Sequence, residues 1–232
     1  MKSASVEDKG VVMAQFIAIF DLDGTLLDTL DDLAGAVNRT LVSMGFPART
    51  RDEVRAFVGN GVGKLIRRAL PHGVDEDVFE TALSQFKADY AAHNTDATAP
   101  YPGILNLLTA LRAQGIRTAV VSNKFDAATR ALCRRYFGDL IEVAVGEDEA
   151  AGLRRKPAPD TVLEAFSRLG VNPTDVRAVY IGDSDVDIDT ATAASLPCIS
   201  VTWGFRDEAF LRAAGATTLV HTTEELLGQL LA

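Results

Sequence analysis

Short, almost entirely apolar runs recur along the chain and alternate with segments whose apolar residues follow a helical period. These runs lie at 16–20, 116–121, 177–181, 197–201 and 217–220. Runs of this length without polar alternation are typical of strands that are buried on both faces of a parallel sheet. The pattern therefore predicts five parallel strands, of which the last is the faintest.

Helical periodicity fills the segments between the runs. Gly115 and Gly170 are predicted stop signals, and Asp126 is a predicted N-cap. The predicted helices span 30–44, 61–70, 76–92, 103–114, 126–136, 160–169 and 222–231. Strands that alternate with helices predict an α/β fold, namely a doubly wound parallel sheet with a Rossmann-like core.

The alternation breaks once, because the segment from Asp28 to about Pro100 contains only helical patterns. About seventy residues of helix between the first two strands indicate an inserted helical domain. Proline and glycine at 100–103 mark the return of the chain to the sheet. We predict a core of residues 1–27 and 103–232 and an inserted domain of residues 28–102.

Composition and charge exclude several classes of protein. The 232 residues are 47% hydrophobic, which is enough for a sizeable core, and the net charge is −9 with no basic block. Because nucleic-acid binding needs a basic face, we expect no nucleic acid as a partner. Because no apolar run approaches the roughly 20 residues that span a bilayer, we expect no membrane as a partner either.

Residues 1–15 are a poor signal peptide and are predicted to be a short extension. Cys133 and Cys198 have no metal or disulfide spacing, which favours the cytoplasm.

Polar residues follow the predicted strands where a doubly wound sheet binds its ligands. Four loops carry them: Asp21, Asp23, Gly24 and Thr25; Ser122, Asn123 and Lys124; Lys156; and Asp183 with Asp187. Carboxylates alone would repel a phosphate, but hard carboxylate oxygens select Mg²⁺, and Lys156 adds a second positive charge. Phosphoryl transfer needs this neutralisation and positioning above all. The sequence therefore predicts a Mg²⁺-dependent phosphoryl-transfer site.

The spacing within the first loop suggests two chemical roles. Asp21 can attack phosphorus, and Asp23 can protonate the leaving oxygen and later activate water. Gly24 permits the tight turn, and the amides there can face an anion. A lone Asp-x-Asp-Gly is also typical of turns, and the acids at 183–189 could form a calcium loop. That run lacks the glycine and the closing glutamate of an EF-hand.

Four motifs together resemble the haloacid dehalogenase-like hydrolase superfamily. They are FDLDGTLLDT at 20–29, VVSN at 120–123, KPAPD at 156–160 and GDSDVDIDTA at 182–191. The resemblance implies that the inserted helices are a cap domain, that Asp21 is the nucleophile and that Asp23 is the general acid/base. It also implies Mg²⁺ on the Asp21 carboxylate, the Asp23 carbonyl and Asp183, with Asp187 nearby or bound through water. Ser122, Asn123 and Lys156 would hold the phosphoryl group.

Within the superfamily the chain most closely resembles the phosphoglycolate phosphatases. The similar segments are TLLDTLDDLAGAVNRTL, VGNGVGKLIRRAL at 58–70 and VTWGFR at 201–206. Asn60 and Gly61 belong to a turn that opens a helix, which can place amides and a polar side chain over the active site. A substrate carboxylate could be met by Lys64, Arg67 or Arg68.

Other readings stay open. Similar cores serve pyrophosphate, nucleoside monophosphates and sugar phosphates, because the cap sets the choice of substrate. A phosphomutase is disfavoured, since 28–50 contains neither His nor Lys, and Asp23 argues against a dehalogenase or a phosphonate hydrolase. A non-enzymatic binding module is disfavoured because the core side chains are intact. We expect a small phosphorylated metabolite as the partner and a monomer or homodimer.

Overall fold

The computed structural model describes residues 15–232, so that residues 1–14 of the predicted extension lie outside it. Its strands are β1 (Phe16–Phe20), β2 (Leu27–Asp28), β3 (Ala99–Pro100), β4 (Arg117–Phe125), β5 (Val143–Glu147), β6 (Arg177–Gly182), β7 (Cys198–Val201) and β8 (Leu219–Val220). Its α-helices are α1 (Leu30–Ser43), α2 (Arg51–Phe57), α3 (Val62–Ala69), α4 (Glu76–His93), α5 (Ile104–Ala113), α6 (Asp126–Phe137), α7 (Asp160–Leu169), α8 (Asp185–Ala193), α9 (Glu208–Ala213) and α10 (Thr223–Leu231). Within 15–232, no helix combines the length and the apolarity needed to cross a bilayer.

Six parallel strands form the central sheet in the order β5-β4-β1-β6-β7-β8. The predicted doubly wound α/β fold is confirmed. Ala18 and Phe20 of β1 pack with α5, α6 and α10 on one face, whereas Ile17 and Ile19 pack with α7 on the other. Because both faces are covered, β1 can be apolar at every position.

The sheet has its switch point at β1. The chain proceeds from β1 to β4 and β5 on one side and then crosses to β6 on the other. Adjacent connections therefore leave on opposite faces, and the crevice between them opens beyond the carboxyl ends of the strands. Asp21 and Asp183 follow β1 and β6 there.

Several local predictions need correction. β5 was not predicted, because its sequence VAVGE is only partly buried and includes Gly146. The short helices α2 and α9 were also missed, since six or seven residues show little periodicity. Ser122 to Lys124 lie within β4 rather than in a loop after it. Asp126 begins α6 without capping it, and its Oδ1 accepts from the Gly146 N–H instead.

Helices α1 to α4, which we call the helical unit, share a hydrophobic core separate from that of the sheet. Its most buried members include Leu41, Ile66 and Phe86. Phe205, from the loop after β7, is the one buried contributor to this core from outside 28–102 among the described residues. The helical unit is thus internally packed, and a single aromatic ring of the sheet domain enters it.

The two chain crossings into the helical unit are tied together. Leu27 and Asp28 of β2 pair antiparallel with β3. Asp32 is 5% exposed, and it accepts from the Ala97 N–H and from the N–H and the hydroxyl of Thr98. One carboxylate therefore holds the return crossing against the first turn of α1.

We expect Asp32→Ala to lower the free energy of unfolding by about 2–4 kcal/mol, because three donors lose a charged acceptor in a buried place. Asp31→Ala is the matched control, since Asp31 is exposed and, in the part of the chain that the structure describes, pairs only with Arg51. Its expected effect is below about 0.5 kcal/mol. Urea unfolding checks both variants, and equal losses would contradict the role of Asp32.

Candidate active site

A buried ammonium lies between two carboxylates at the centre of the sheet edge. Lys156 Nζ is 2.7 Å from Asp21 Oδ1 and 2.8 Å from Asp187 Oδ1. The same Nζ donates to Tyr180 Oη at 3.2 Å. These contacts fix Lys156 relative to the end of β1 and the start of α8.

Burial and charge set the protonation of this cluster. Burial lowers the pKa of Lys156, but the charges of Asp187 and Asp21 outweigh it, and the pKa is raised overall. The pKa of Asp21 is held well above its usual value by burial and by Asp187 and Asp183, against the opposing effect of Lys156. Burial, and then Asp187, raise the pKa of Asp183 to about 7. The three carboxylates of Asp21, Asp183 and Asp187 thus lie in a place where too little positive charge is present to stabilise all of them in the ionised form.

The composition of the cluster fits a hard divalent cation. Asp21, Asp183 and Asp187 each place one oxygen within 4.8 Å of the others, and all three are buried. Lys156 is the ammonium in contact with Asp21 and Asp187, so two negative charges remain uncompensated when all three carboxylates ionise. Oxygen-only ligands around such a charge deficit suit Mg²⁺ or a similar cation.

Gly24 and Thr25 contact Asp183. Thr25 Oγ1 donates to Asp183 Oδ1 at 3.0 Å, and the Phe205 N–H donates to Oδ2 at 2.7 Å. Gly24 has a φ of +90°, and a Cβ there would lie 2.4 Å from Asp183 Oδ2. The predicted small turn after Asp23 therefore exists, and it shapes the seat of the Asp183 carboxylate.

Asp187 is fully buried and already has a complete set of partners. Its Oδ2 accepts from the Asp183 N–H, the Ser184 N–H and the Ser184 hydroxyl, and its Oδ1 accepts from Tyr180 Oη. The bonds with Ser184 form a capping box at the start of α8. Asp187 thus orients Lys156 and the Asp183 loop, and its role as a metal ligand stays a prediction.

Asp23 lines the same cavity as Lys156 and contacts residues of β4. Its Oδ2 accepts weakly from Ser122 Oγ at 3.5 Å, and its Oδ1 is 3.1 Å from Lys124 Nζ. Lys124 Nζ also donates to Tyr90 Oη at 2.9 Å. Asp23 is therefore connected to the helical unit through a lysine and a tyrosine.

Asn123 holds the backbone of the lysine loop. Its Oδ1 accepts from the Lys156 N–H at 2.7 Å, and its Nδ2 donates to the Lys156 carbonyl at 3.2 Å. The same Nδ2 lies 3.3 Å from the Gly59 carbonyl of the helical unit. Asn123 thus positions Lys156 in addition to any contact with a ligand.

Two arginines lock the helical unit against the loop after β7. Arg55 donates to the carbonyls of Gly204 and Phe205 at 2.6 and 2.9 Å. Arg206 donates in the other direction, to the carbonyls of Arg55 and Val58 at 2.9 and 2.7 Å. We call this reciprocal pair the arginine latch.

The predicted residues of the helical unit are divided between two cavities. Gly61 lines the cavity that contains the acidic cluster. Asn60 lines a neighbouring cleft, where its side-chain oxygen accepts from Arg68. Arg67 pairs with Glu76, and Lys64 is exposed. The cavity beside the acidic cluster, which we call the main cavity, is lined by Asp21, Asp23, Leu33, Val58, Gly59, Gly61, Val62, Leu65, Ser122, Asn123, Lys124, Lys156, Asp183, Ser184, Phe205 and Arg206.

Sequence reasoning assigned no role to four residues that the structure brings to the site. Tyr180 lies inside an apolar run, and Arg206 ends the segment at 201–206 that was noted only for its resemblance. Lys124 directly follows Ser122 and Asn123 in the sequence, and this position could have identified it as a residue of the site. Tyr90 is one aromatic residue on a long helix, and no local pattern separates it from the other core positions of α4.

Comparison with known proteins gives one family. A family model described as haloacid dehalogenase-like hydrolase matches residues 18–201. A phosphoglycolate phosphatase of Pseudomonas putida KT2440 is 34% identical over 217 residues, covering 91% of this chain and 78% of that protein. A phosphoglycolate phosphatase of Cupriavidus necator H16 is 36% identical over 211 residues, or 90% of each. The crystal structure of a protein from Lactobacillus delbrueckii subsp. bulgaricus matches with a TM-score of 0.87 and 37% identity, covering 94% of this chain and 99% of that one.

The raised pKa of Asp183 predicts a pH-dependent stability. Because the folded protein holds this proton more tightly than the unfolded chain does, the contribution is present at low pH and is lost as the pH rises through about 7. In a chelator, we expect Tm to fall by about 5 °C between about pH 5 and about pH 8. Added MgCl₂ should reverse most of this fall.

Asp183→Asn should make the pH profile in chelator less steep, because Asp21 keeps a raised pKa of its own, and it should abolish the response to MgCl₂. Asp189→Asn is the matched control, since Asp189 is an exposed acid of α8, the helix that begins two residues after Asp183. Thermal unfolding followed by circular dichroism measures all three proteins. A metal response that survives in Asp183→Asn would contradict the assignment.

Proposed function

Because the chain belongs to the haloacid dehalogenase-like hydrolase family, we propose that it is a Mg²⁺-dependent phosphatase that forms a phospho-aspartyl intermediate on Asp21. Its proposed substrate is 2-phosphoglycolate. The observation that carries the proposal is the position of the Asp21 carboxylate, 2.7 Å from the Lys156 ammonium and within a buried acidic cluster. Asp23, the proposed proton donor, lines the same cavity.

In the proposed first step, a carboxylate oxygen of Asp21 attacks phosphorus and the bond to the leaving oxygen breaks. Asp23 gives its proton to that oxygen, so that an alcohol departs. Lys156 neutralises charge on the phosphoryl group, and Ser122 and Asn123 complete its binding site. Mg²⁺, held by Asp21, the Asp23 carbonyl and Asp183, would supply further neutralisation of the phosphoryl oxygens.

In the proposed second step, Asp23 takes a proton from water, and the water oxygen attacks the phosphorus of the intermediate. Asp21 then leaves as a carboxylate, and inorganic phosphate is released. The same side chain thus serves as acid and then as base, which requires that it stay in the cavity through both steps. Asp21 is 7% exposed, so bulk water has little access to the reacting carboxylate.

Three observations support a small anionic substrate. Leu33, Val58 and Leu65 bring apolar surface of the helical unit over the acidic cluster, which favours a short ester. Arg206 lines the same cavity, and its buried Nε has no hydrogen-bond partner within the described part of the chain. A donor of this kind suits the carboxylate of phosphoglycolate. The Pseudomonas and Cupriavidus relatives carry the name of that activity.

We also propose that residues 28–102 act as a cap domain over a core of residues 1–27 and 103–232. The β2–β3 ribbon is the natural hinge, because it contains both crossings of the chain. The arginine latch would hold the cap closed during the reaction, and release of the latch would admit substrate.

The chemistry can be tested with p-nitrophenyl phosphate and MgCl₂. Asp21→Asn should lower kcat by at least about 10³-fold, because the amide cannot form the intermediate. Asp189→Asn, an exposed acid nearby, should keep wild-type activity. Acid-quenched enzyme should contain one labile phosphoryl group that Asp21→Asn lacks. Wild-type protein without turnover, or a variant as active as wild type, would refute the proposal.

The substrate can be tested separately with a panel of phosphate esters compared by kcat/KM. We expect 2-phosphoglycolate to rank first, and Arg206→Met to lower its kcat/KM by about 10–100-fold, since one charged hydrogen bond is lost. Ethyl phosphate, which has no carboxylate, should lose only what the weakened arginine latch costs, so its kcat/KM should fall by a clearly smaller factor than that of 2-phosphoglycolate. If pyrophosphate, a nucleotide or a sugar phosphate ranks first, the phosphatase stands and the named substrate fails.

A further inference from the structure

Lys124 is a buried lysine of β4 to which the proposed chemistry gives no role. It is 7% exposed, and its Nζ lies 3.1 Å from Asp23 Oδ1 and 2.9 Å from Tyr90 Oη. The Nζ is also 4.6 Å from the centre of the Tyr90 ring. The ammonium therefore joins Asp23 of the sheet domain to α4 of the helical unit.

Asp23 has few other means of holding its position. Its contact with the Ser122 hydroxyl is 3.5 Å long, and that hydroxyl also accepts from the Lys124 N–H. Asp21, two residues earlier, is instead fixed at 2.7 Å by Lys156. The close charge contact of Asp23 is with Lys124.

Tyr90 is itself held rigidly in the helical unit. It is 7% exposed, and its ring stacks on Phe86 at a centroid distance of 5.5 Å. Phe86 is fully buried in the core of the helical unit. The position of the Tyr90 hydroxyl is therefore set by the position of α4, and any displacement of α4 moves a partner of Lys124.

We propose that Lys124 is a positioning residue that aims the Asp23 carboxyl at the leaving oxygen, and that Tyr90 makes this aim depend on the closed helical unit. The inference rests on the proposed function, in which Asp23 transfers the proton. With the helical unit in place, Tyr90 holds the ammonium and the ammonium holds Asp23. When α4 moves away, Lys124 Nζ loses one of the two polar partners that it has among the described residues, and Asp23 is less well placed for proton transfer.

The leaving group provides a readout that loss of folding would not change selectively. An alkyl ester needs a proton on its leaving oxygen, whereas p-nitrophenolate departs without one. The parameter kcat/KM reports the steps through formation of the phosphoenzyme, in which Asp23 acts as an acid. We compare 2-phosphoglycolate and ethyl phosphate, two alkyl esters, with p-nitrophenyl phosphate.

Lys124→Met should lower kcat/KM for both alkyl esters by about 30-fold and for the aryl ester by less than about threefold. Tyr90→Phe keeps the ring and removes only the hydroxyl, so we expect about a fivefold loss confined to the alkyl esters. Tyr136→Phe is the matched control, because its hydroxyl donates to the Thr98 carbonyl instead. It should leave all three values within about twofold of wild type.

A double-mutant cycle tests whether Lys124 acts through Asp23. In an Asp23→Asn background, Lys124→Met should lower kcat/KM for alkyl esters no further, because the group that it positions is gone. Additive losses would overturn the proposal. If Lys124→Met does not fold, Tyr90→Phe alone decides, since it makes the same selective prediction.

Two further outcomes would overturn the inference. Equal losses for alkyl and aryl esters would mean a merely structural role, and a loss confined to 2-phosphoglycolate would mean that Lys124 binds the substrate carboxylate. Both results require an active wild-type enzyme. Failure of the proposed function itself would show as wild type that is as inert as Asp21→Asn, so the two failures are distinguishable.

Discussion

Lys156 Nζ contacts two buried carboxylates at less than 3 Å, and the other features of the site are arranged around that cluster. Burying charge is costly unless each charge is paired and hydrogen-bonded. The chain meets this requirement by giving Asp187 a complete set of donors and Asp183 two donors of its own. Within residues 15–232, the Asp21 carboxylate has the Lys156 ammonium as its only donor, and it is the carboxylate proposed to react. The hydrogen bonds of Asp183 and Asp187 thus hold the cluster together, while the Asp21 carboxylate keeps few partners and is left to react.

The helical unit meets the sheet domain through three sets of polar contacts beside the cavity. They are the arginine latch, the contact of Asn123 with Gly59, and the pair of Lys124 and Tyr90. Each contact involves a residue of the cavity wall or its immediate neighbour in the chain. The residues that hold the helical unit against the sheet domain are therefore largely the same residues that would surround a bound ester.

Local patterns were enough to predict much of the fold and of the acidic site. Continuous apolar runs located β1 and β6, and the acids after them identified the edge at which Asp21 and Asp183 meet. The pattern failed where burial is mixed, as in β5, or where a helix is too short to show a period, as in α2. It also failed for Tyr90, because its contact with Lys124 joins positions 34 residues apart and depends on how two separately packed cores dock. The partners of Asp187 were equally hidden, since a capping box and a metal ligand look the same in sequence.

Phe205 makes the packing of the helical unit depend on a residue of the sheet domain. The ring belongs to the core of α1 to α4, while the backbone N–H of the same residue holds the Asp183 carboxylate. A change of side-chain volume in the helical core is thus transmitted to a predicted metal ligand through one residue. A helical insert transplanted from a relative would meet a foreign ring in its core and, through it, would shift the acidic cluster. Helical inserts of this family and the loop that follows β7 should therefore be inherited together, and chimeric enzymes should exchange the two as one module.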